Sequence, residues 1–260
     1  MNKLSVYELK CLTNMHVGDG EANYNIVDNE VQRDIVLNVP TIHSSGVKGA
    51  LRSFATNNGM EKSQIDEIFG AEGENGKQGN YKFLSGNMLA RPVRVSDGPG
   101  AYVLATSKAV ITTQINLLKS LGIVCGDWNV KLDPNKVYKS KVLKDVKAVE
   151  GIKLQEEINI PVIDTFLGTN WVLFPDEKLA NMSLPVQARN VLENGKSKNL
   201  WYEEVVPHQS VFQVVVICHT QEDDLYKFIQ ENKGIVQFGA DASIGYGLCK
   251  VTEWKGASHE

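Results

Sequence analysis

Cysteine is scarce in this sequence: four residues in 260, at positions 11, 125, 218 and 249, with no two close together. That spacing excludes a CxxC zinc site and a dense disulfide framework, so the thiols are expected reduced and mostly buried. Long hydrophobic runs are also missing. No segment approaches the roughly 18 apolar residues a membrane helix needs, and the opening MNKLSVYELK is too polar for a signal peptide. No membrane partner and a cytoplasmic location are expected. Excess positive charge is absent as well, the net charge being −4. A strongly basic domain built for non-specific nucleic-acid binding is thereby excluded, although a local basic surface is not. Tandem repeats and low-complexity tracts are absent too.

What is present suits an ordinary globular chain of mixed α and β structure, with 42% apolar and 22% charged residues. This is enough for one large domain or two small ones. LSVYELKCLT reads as a strand, and VQRDIVLNV as another, by period-two alternation. HSSGVKGALRSFATNNG reads as a helix that Ser44 or Ser45 can cap, since Val47, Leu51, Phe54 and Ala55 recur at helical spacing. A short helix follows at SQIDEIFG, closed by Gly70, and then a flexible loop, GAEGENGKQGN.

The C-terminal third is the most regular part. SVFQVVVICHT is a continuous apolar strand, and QEDDLYKFIQENKG is a helix with an acidic first turn and Gly234 at its end. IVQFGA and an antiparallel return through GLCKVTEW complete a unit that suits an α+β, ferredoxin-like sandwich. Residues from about 126 to 187 are less regular and are read as an insertion. ARNVLENGKSKNLWYEEV, residues 188–205, places an Asn-Gly turn between two strands.

Two stretches invite chemistry. Asp28 stands where HVGDGEAN gives way to the alternating run, with His16 in the same glycine-rich neighbourhood. Between the last two strands, GADASIGYG carries Gly239, Gly245 and Gly247, which could bring backbone close to a phosphate. Its spacing fits neither GxxxxGK[ST] nor GxGxxG. Lys136, Lys139, Lys141, Lys144 and Lys147 read as a solvated face, while Arg33, Lys48, Arg52, Arg91 and Arg94 stand among glycines and small polar residues.

Taken in order, several segments resemble the RAMP superfamily of CRISPR proteins. They are MHVGDGEANYNIVDNEVQRD (15–34), PTIHSSGVKGALR (40–52), IFGAE (68–72), LSGNMLARPVRVSDGPGAYVLATS (84–107), LWYEEVVP (200–207) and IVQFGADASIGYGLCKV (235–251). The likeness is to the repeated backbone ribonuclease subunit of type III-B Cmr effector complexes, with the equivalent type III-A Csm subunit as a related reading. Two departures from the family pattern are Asn29-Glu30, in place of a residue-proline step, and His43 ahead of the two serines.

The resemblance implies a ferredoxin-like (RRM-like) RAMP palm with inserted segments and a thumb β-hairpin at 188–205. It implies CRISPR RNA, complementary target RNA, other Cmr subunits and copies of the chain itself in a helical filament as partners. Asp28 falls on the aspartate that the family needs for cutting target RNA. A lone carboxylate can orient the attacking 2′-OH or bind Mg²⁺ or Mn²⁺ weakly, with RNA phosphate completing the site. His16 is a second catalytic candidate, because imidazole titrates near neutral pH. Glu203 and Glu204 are possible helpers. Ser44, Ser45, Lys48 and Arg52, with Gly239, Gly245 and Gly247, fall on segments that meet the guide backbone, and Arg91 and Arg94 are weaker candidates. Two further readings are a structural RNA-binding subunit that no longer cuts and a precursor-processing enzyme. The latter lacks a His, Tyr and Lys cluster to support it.

Overall fold

The structure is a computed structural model that describes residues 3–20, 27–71, 76–128 and 130–256. Its framework is a mixed sheet of 13 strands, with a second, two-stranded sheet standing apart from it. Across the large sheet the order runs Ile235–Gln237, Leu248–Glu253, Lys3–Cys11, Val211–Cys218, Gly86–Asp97, Tyr102–Ser107, Trp171–Phe174, Tyr138–Ser140 and Glu156–Ile158. Neighbours are antiparallel as far as Tyr102–Ser107, and parallel pairing enters where Trp171–Phe174 joins. The fold is α+β, and the irregular middle of the sequence supplies strands to one side of the sheet.

The strand Val211–Cys218 shows why its sequence is continuously apolar. Phe212, Val214 and Val216 enter one buried cluster with Val47, Leu51, Leu225 and Ile229 of two helices. Val211 and Val215 point the other way, into a cluster with Ile111, Ile115 and Trp171. A strand covered on both faces has no polar face to alternate with. All four cysteines are free and buried, as their spacing predicts. No helix among the described residues is long and apolar enough to cross a membrane.

Helix Ser44–Asn57 forms where its spacing predicts, burying Val47, Leu51 and Ala55. Neither serine caps it, however. The N-cap is His43, which makes no side-chain cap bond; its own N–H donates to Gln32 Oε1 at 2.8 Å. Helix Lys62–Phe69 ends at Gly70 with φ of 93°. Of the glycine-rich segment that follows, residues 72–75 lie outside the described residues, and the ends of the rest are pinned. Gly70 bridges Gln78, and Asn80 N donates to Glu67 O at 2.7 Å. Helix Asp224–Glu231 is capped by Asp223, whose carboxylate accepts from Tyr226 N at 3.0 Å and from the buried Tyr7 hydroxyl at 2.6 Å.

The expectation of a strand over VQRDIVLNV is overturned. Only isolated bridges form, Val31 with Gly18 and Arg33 with Pro40. Asp34 Oδ1 accepts from Val36 N at 2.9 Å and from Leu37 N at 2.7 Å, and Asn38 takes a φ of 54°. An aspartate bonding the backbone two and three residues ahead offers the chain a turn in place of a ladder. Ile35 is left 98% exposed and Val36 84%.

Candidate functional site

The two-stranded sheet is a hairpin, Val186–Glu193 with Lys196–Glu204, turning through Asn194 and Gly195. Both turn residues have positive φ, as the tight two-residue hairpin loop requires. Four of the candidates, Asp28, His16, Glu203 and Glu204, gather at the root of this hairpin.

Asp28 is fastened to that root. Its N–H donates to Tyr202 O at 3.0 Å, and its Oδ2 accepts from Tyr202 N at 2.8 Å. Among the described residues its Oδ1 takes no hydrogen bond, and the residue is half-buried. Asn29, the departure from the family pattern, continues the seam: its N–H donates to Tyr202 O, its carbonyl accepts from Glu204 N at 2.9 Å, and its amide donates to Glu203 Oε1 at 3.1 Å. The step keeps the loop docked. The preceding residues of that loop, 21–26, lie outside the described residues.

His16 is buried and bonds the same strand end. Its Nδ1 donates to Glu204 O at 2.7 Å, so a proton sits on Nδ1. Nε2 lies beside Gly18, where a Cβ would stand 3.0 Å from it. His16 lines a shallow cavity of about 410 Å³, with Asp19, Asn29, Glu30, Glu203 and Asp241. Asp28 is not in that lining. The two catalytic candidates are held by neighbouring residues of one strand, Tyr202 and Glu204, but do not share a cavity.

Glu203 and Glu204 are already engaged. Glu204 accepts from Arg33 Nη2 at 2.5 Å and from Val31 N at 3.3 Å. Glu203 accepts from Arg189 Nε at 2.8 Å, Trp201 Nε1 at 2.9 Å and Asn29. Burial alone would push its carboxyl up, but the hydrogen bonds from Trp201, Arg189 and Asn29, with the Arg189 charge, hold it down at about 2. Among the described residues, no group of three or more His, Cys, Asp or Glu side chains is placed to hold a metal ion. Asp28 with its free Oδ1 fits a single ligand to a divalent ion and no more.

The remaining candidates divide. Ser44, Ser45 and Lys48 are exposed at the start of their helix. Arg52 is turned inward, with Nη1 donating to Gly70 O at 3.0 Å and Nη2 3.8 Å from Asp66. Gly239 and Gly247 are required by close packing. A Cβ would stand 2.2 Å from His16 O at the first and 1.8 Å from Phe238 O at the second, whereas Gly245 faces open space. The glycine loop is thus tied to His16, through Ala240 N at 2.8 Å, and faces Ser53 and Asn57 across a cleft of about 510 Å³. Ser44 lies nine residues before Ser53, about 13 Å along the helix. Arg91 is buried, its guanidinium spent on Met182 O and Ser183 O, and burial lowers its pKa; Arg94 is exposed.

Sequence reading missed Arg189. It donates to Glu203 and Asp241 and lies over the Tyr246 ring, 4.7 Å from the centroid. Its partner Asp241 is 52 residues away, and only the position of Arg189 opposite Trp201 in the hairpin register hints at a role.

Comparison with known proteins identifies the family. Residues 8–250 match the RAMP superfamily. The chain is 27% identical over 285 residues to the CRISPR system Cmr endoribonuclease Cmr4 of Pyrococcus furiosus, covering 94% of this chain and 93% of that one. It is 31% identical to the CRISPR system CMR subunit Cmr4 of Saccharolobus solfataricus, covering 94% of each. Among solved structures, a chain of type III-B Cmr-beta bound to cognate target RNA superposes with TM-score 0.78 at 20% identity, over 97% of this chain and 98% of that one. Oligomeric Cmr4 from Pyrococcus furiosus superposes with TM-score 0.71 at 19% identity, over 96% and 98%. With nearly its whole length matched, the chain belongs to the RAMP superfamily, among relatives of the Cmr4 kind.

Proposed function

We propose that this chain is the repeated backbone subunit of a cytoplasmic type III-B CRISPR effector complex and cuts target RNA paired to the guide. The observation that carries the reading is Asp28, clamped by Tyr202 N–H at the root of a projecting hairpin, with one carboxylate oxygen that takes no hydrogen bond among the described residues. The relative from Pyrococcus furiosus is named an endoribonuclease. In this reading the antiparallel strands Leu248–Glu253, Lys3–Cys11, Val211–Cys218 and Gly86–Asp97 form a ferredoxin-like palm. Residues 126–187 are an insertion, and the hairpin is the thumb.

The chemistry asked of Asp28 is modest. A 2′-OH attacks the adjacent phosphorus in line, its proton leaves, and the bond to the departing 5′-oxygen breaks. Continuous A-form geometry holds these three atoms away from alignment, so the thumb contributes by splaying the duplex. Asp28 Oδ1 orients the attacking hydroxyl and accepts its proton. In the alternative role the same oxygen would be a single protein ligand to Mg²⁺ or Mn²⁺, whose charge would offset the charge gathering on phosphate, with water and RNA supplying the other ligands. His16, which lines the neighbouring cavity, would exchange a proton with a displaced nucleotide. Ser44, Ser45 and Lys48 meet the guide backbone, where a helix N-terminus favours phosphate. Gly245 adds an unobstructed backbone approach. Sequence is read by base pairing. Other copies of the chain and other Cmr subunits complete the filament.

The test is cutting of guide-paired target by the assembled complex, with Mg²⁺ or Mn²⁺ and with chelator. Asp28→Ala should lower the rate at least about 100-fold while guide and target binding stay unchanged. Unaltered cutting by that variant would remove Asp28 from the reaction, and a wild-type complex that binds without cutting would leave a structural backbone subunit.

A further inference from the structure

We propose that Arg189 is a positioning residue: it locks the angle of the hairpin to the body and so decides which phosphate is presented to Asp28. The inference rests on the reading of the hairpin as the element that distorts the target duplex. Its starting point is how little else holds the hairpin in place.

Apart from the isolated bridge of Glu203 to Asn29, the two strands pair with each other among the described residues and form a sheet separate from the main one. An isolated hairpin is marginal on its own in water. Residues 193–200 are exposed, so no apolar packing of the outer half fixes the direction in which it projects. Orientation must be set at the root. There the strand Lys196–Glu204 is fastened along one edge, by the backbone bonds between residues 28–29 and residues 202–204. These bonds, and those that His16, Arg33 and Val31 make to Glu204, all fall on that one strand, so the opposite strand's side of the root is tied separately.

The opposite strand supplies the second point of attachment. From Val186–Glu193, Arg189 reaches Asp241 of the glycine-rich loop with Nη2, while its Nε bonds Glu203 across the hairpin at 2.8 Å. Its guanidinium lies over Tyr246, whose hydroxyl bonds Gln187 two residues along the same strand. One planar group therefore joins both strands of the hairpin to a loop that is itself tied to His16 by Ala240 N and to Asn14 by Gly247 N. Asp241 itself has a left-handed backbone, φ 61°. With both sides of the root attached, the angle of the hairpin is set. Lysine cannot substitute, because the geometry needs two divergent donors and a flat face.

The expected consequence is on turnover and register more than on affinity. A misplacement of about 1 Å in an in-line geometry can cost up to about 100-fold in rate. A hairpin that samples several angles should present several phosphates, each part of the time.

The test uses the full chain and the assembled guide–target complex. Nitroxide labels at Lys196→Cys, on the hairpin tip, and Lys119→Cys, on the body, report the hairpin angle as a distance distribution; the four native cysteines are buried. Arg189→Ala and Arg189→Lys should each broaden a narrow wild-type distribution at least about twofold. In the complex, both should lower kcat about tenfold, leave KM for target unchanged and spread each cut over adjacent phosphates. A narrow distribution in Arg189→Ala would overturn the lock. So would a broad one with wild-type cuts at wild-type rate, or a raised KM with a flatter salt dependence, which would mark Arg189 as a phosphate contact instead. If the wild-type complex does not cut at all, the proposed function fails, and the distance measurement alone decides whether Arg189 fixes the hairpin.

Discussion

The sheet and the hairpin solve the same problem, holding backbone in place, by opposite means. The strand Val211–Cys218 is buried on both faces among side chains from two clusters, and its position is over-determined by packing. The hairpin is exposed from residue 193 to residue 200 and is positioned by a few polar contacts at its root. Apolar burial confers stability without much direction, whereas hydrogen bonds and ion pairs confer direction with little net stability. An element that must project from the body and still point one way is well served by the second arrangement.

The largest effect that would test this contrast is in the sheet. Phe212 is fully buried and faces Leu9 across the first strand. Phe212→Ala should cost about 3–5 kcal/mol, read as a shift of the denaturant midpoint of the free chain. A loss under about 1 kcal/mol would mean that the site collapses freely, and the claim of tight packing would fail.

An intermediate effect concerns the hairpin root and pH. The carboxyl of Glu203 is held at about 2, against an ordinary value near 4.5. A depressed value means that the ionised form is favoured by the native contacts. Their contribution is therefore complete above pH 4.5 and is lost as pH falls toward 2. The carbon-13 carboxyl resonance of Glu203 should show no titration between pH 7 and 3.5, and Arg189→Ala should bring its midpoint back toward 4.5. An ordinary midpoint in the wild-type chain would show that the Arg189 and Trp201 bonds are not made, leaving the hairpin root loose.

How far the sequence discloses each region follows from the same contrast. Val47, Leu51 and Ala55, or Leu225 and Ile229, announce their helices because burial is periodic and local. VQRDIVLNV misleads because its alternation is real, with Val31 and Val39 both buried, yet one aspartate side chain converts the middle into a turn. The serine caps fail for a similar reason: Gln32, from eleven residues upstream, takes the N–H of His43. Asp28 is legible only through the resemblance of the surrounding motifs, since nothing in its own flanks distinguishes it from a turn residue. Arg52 and Arg91 look like surface cations in the sequence and prove to be spent on backbone carbonyls. Arg189 was invisible because its partners, Asp241 and Tyr246, arrive from a distant loop.

The smallest expected effect is also the sharpest check on the hairpin's isolation. Leu200 is 54% exposed, stands opposite Asn190 in the register, and has Val191, at 46%, on the other face of the ribbon. Neither covers the other, so replacing Leu200 removes little buried area from the free chain. Leu200→Ser should change its unfolding free energy by no more than about 0.5 kcal/mol, measured by denaturant titration beside Phe212→Ala. Serine also lowers strand propensity, and a change within that margin remains consistent with a ribbon in water. In the filament proposed above the same substitution should lower thermal stability, because a projecting apolar side chain gains cover only from another subunit or from RNA. A loss above about 1 kcal/mol in the free chain would show Leu200 packed on its own body. The hairpin would then be held by burial like the sheet, and the polar root would no longer be needed to set its direction.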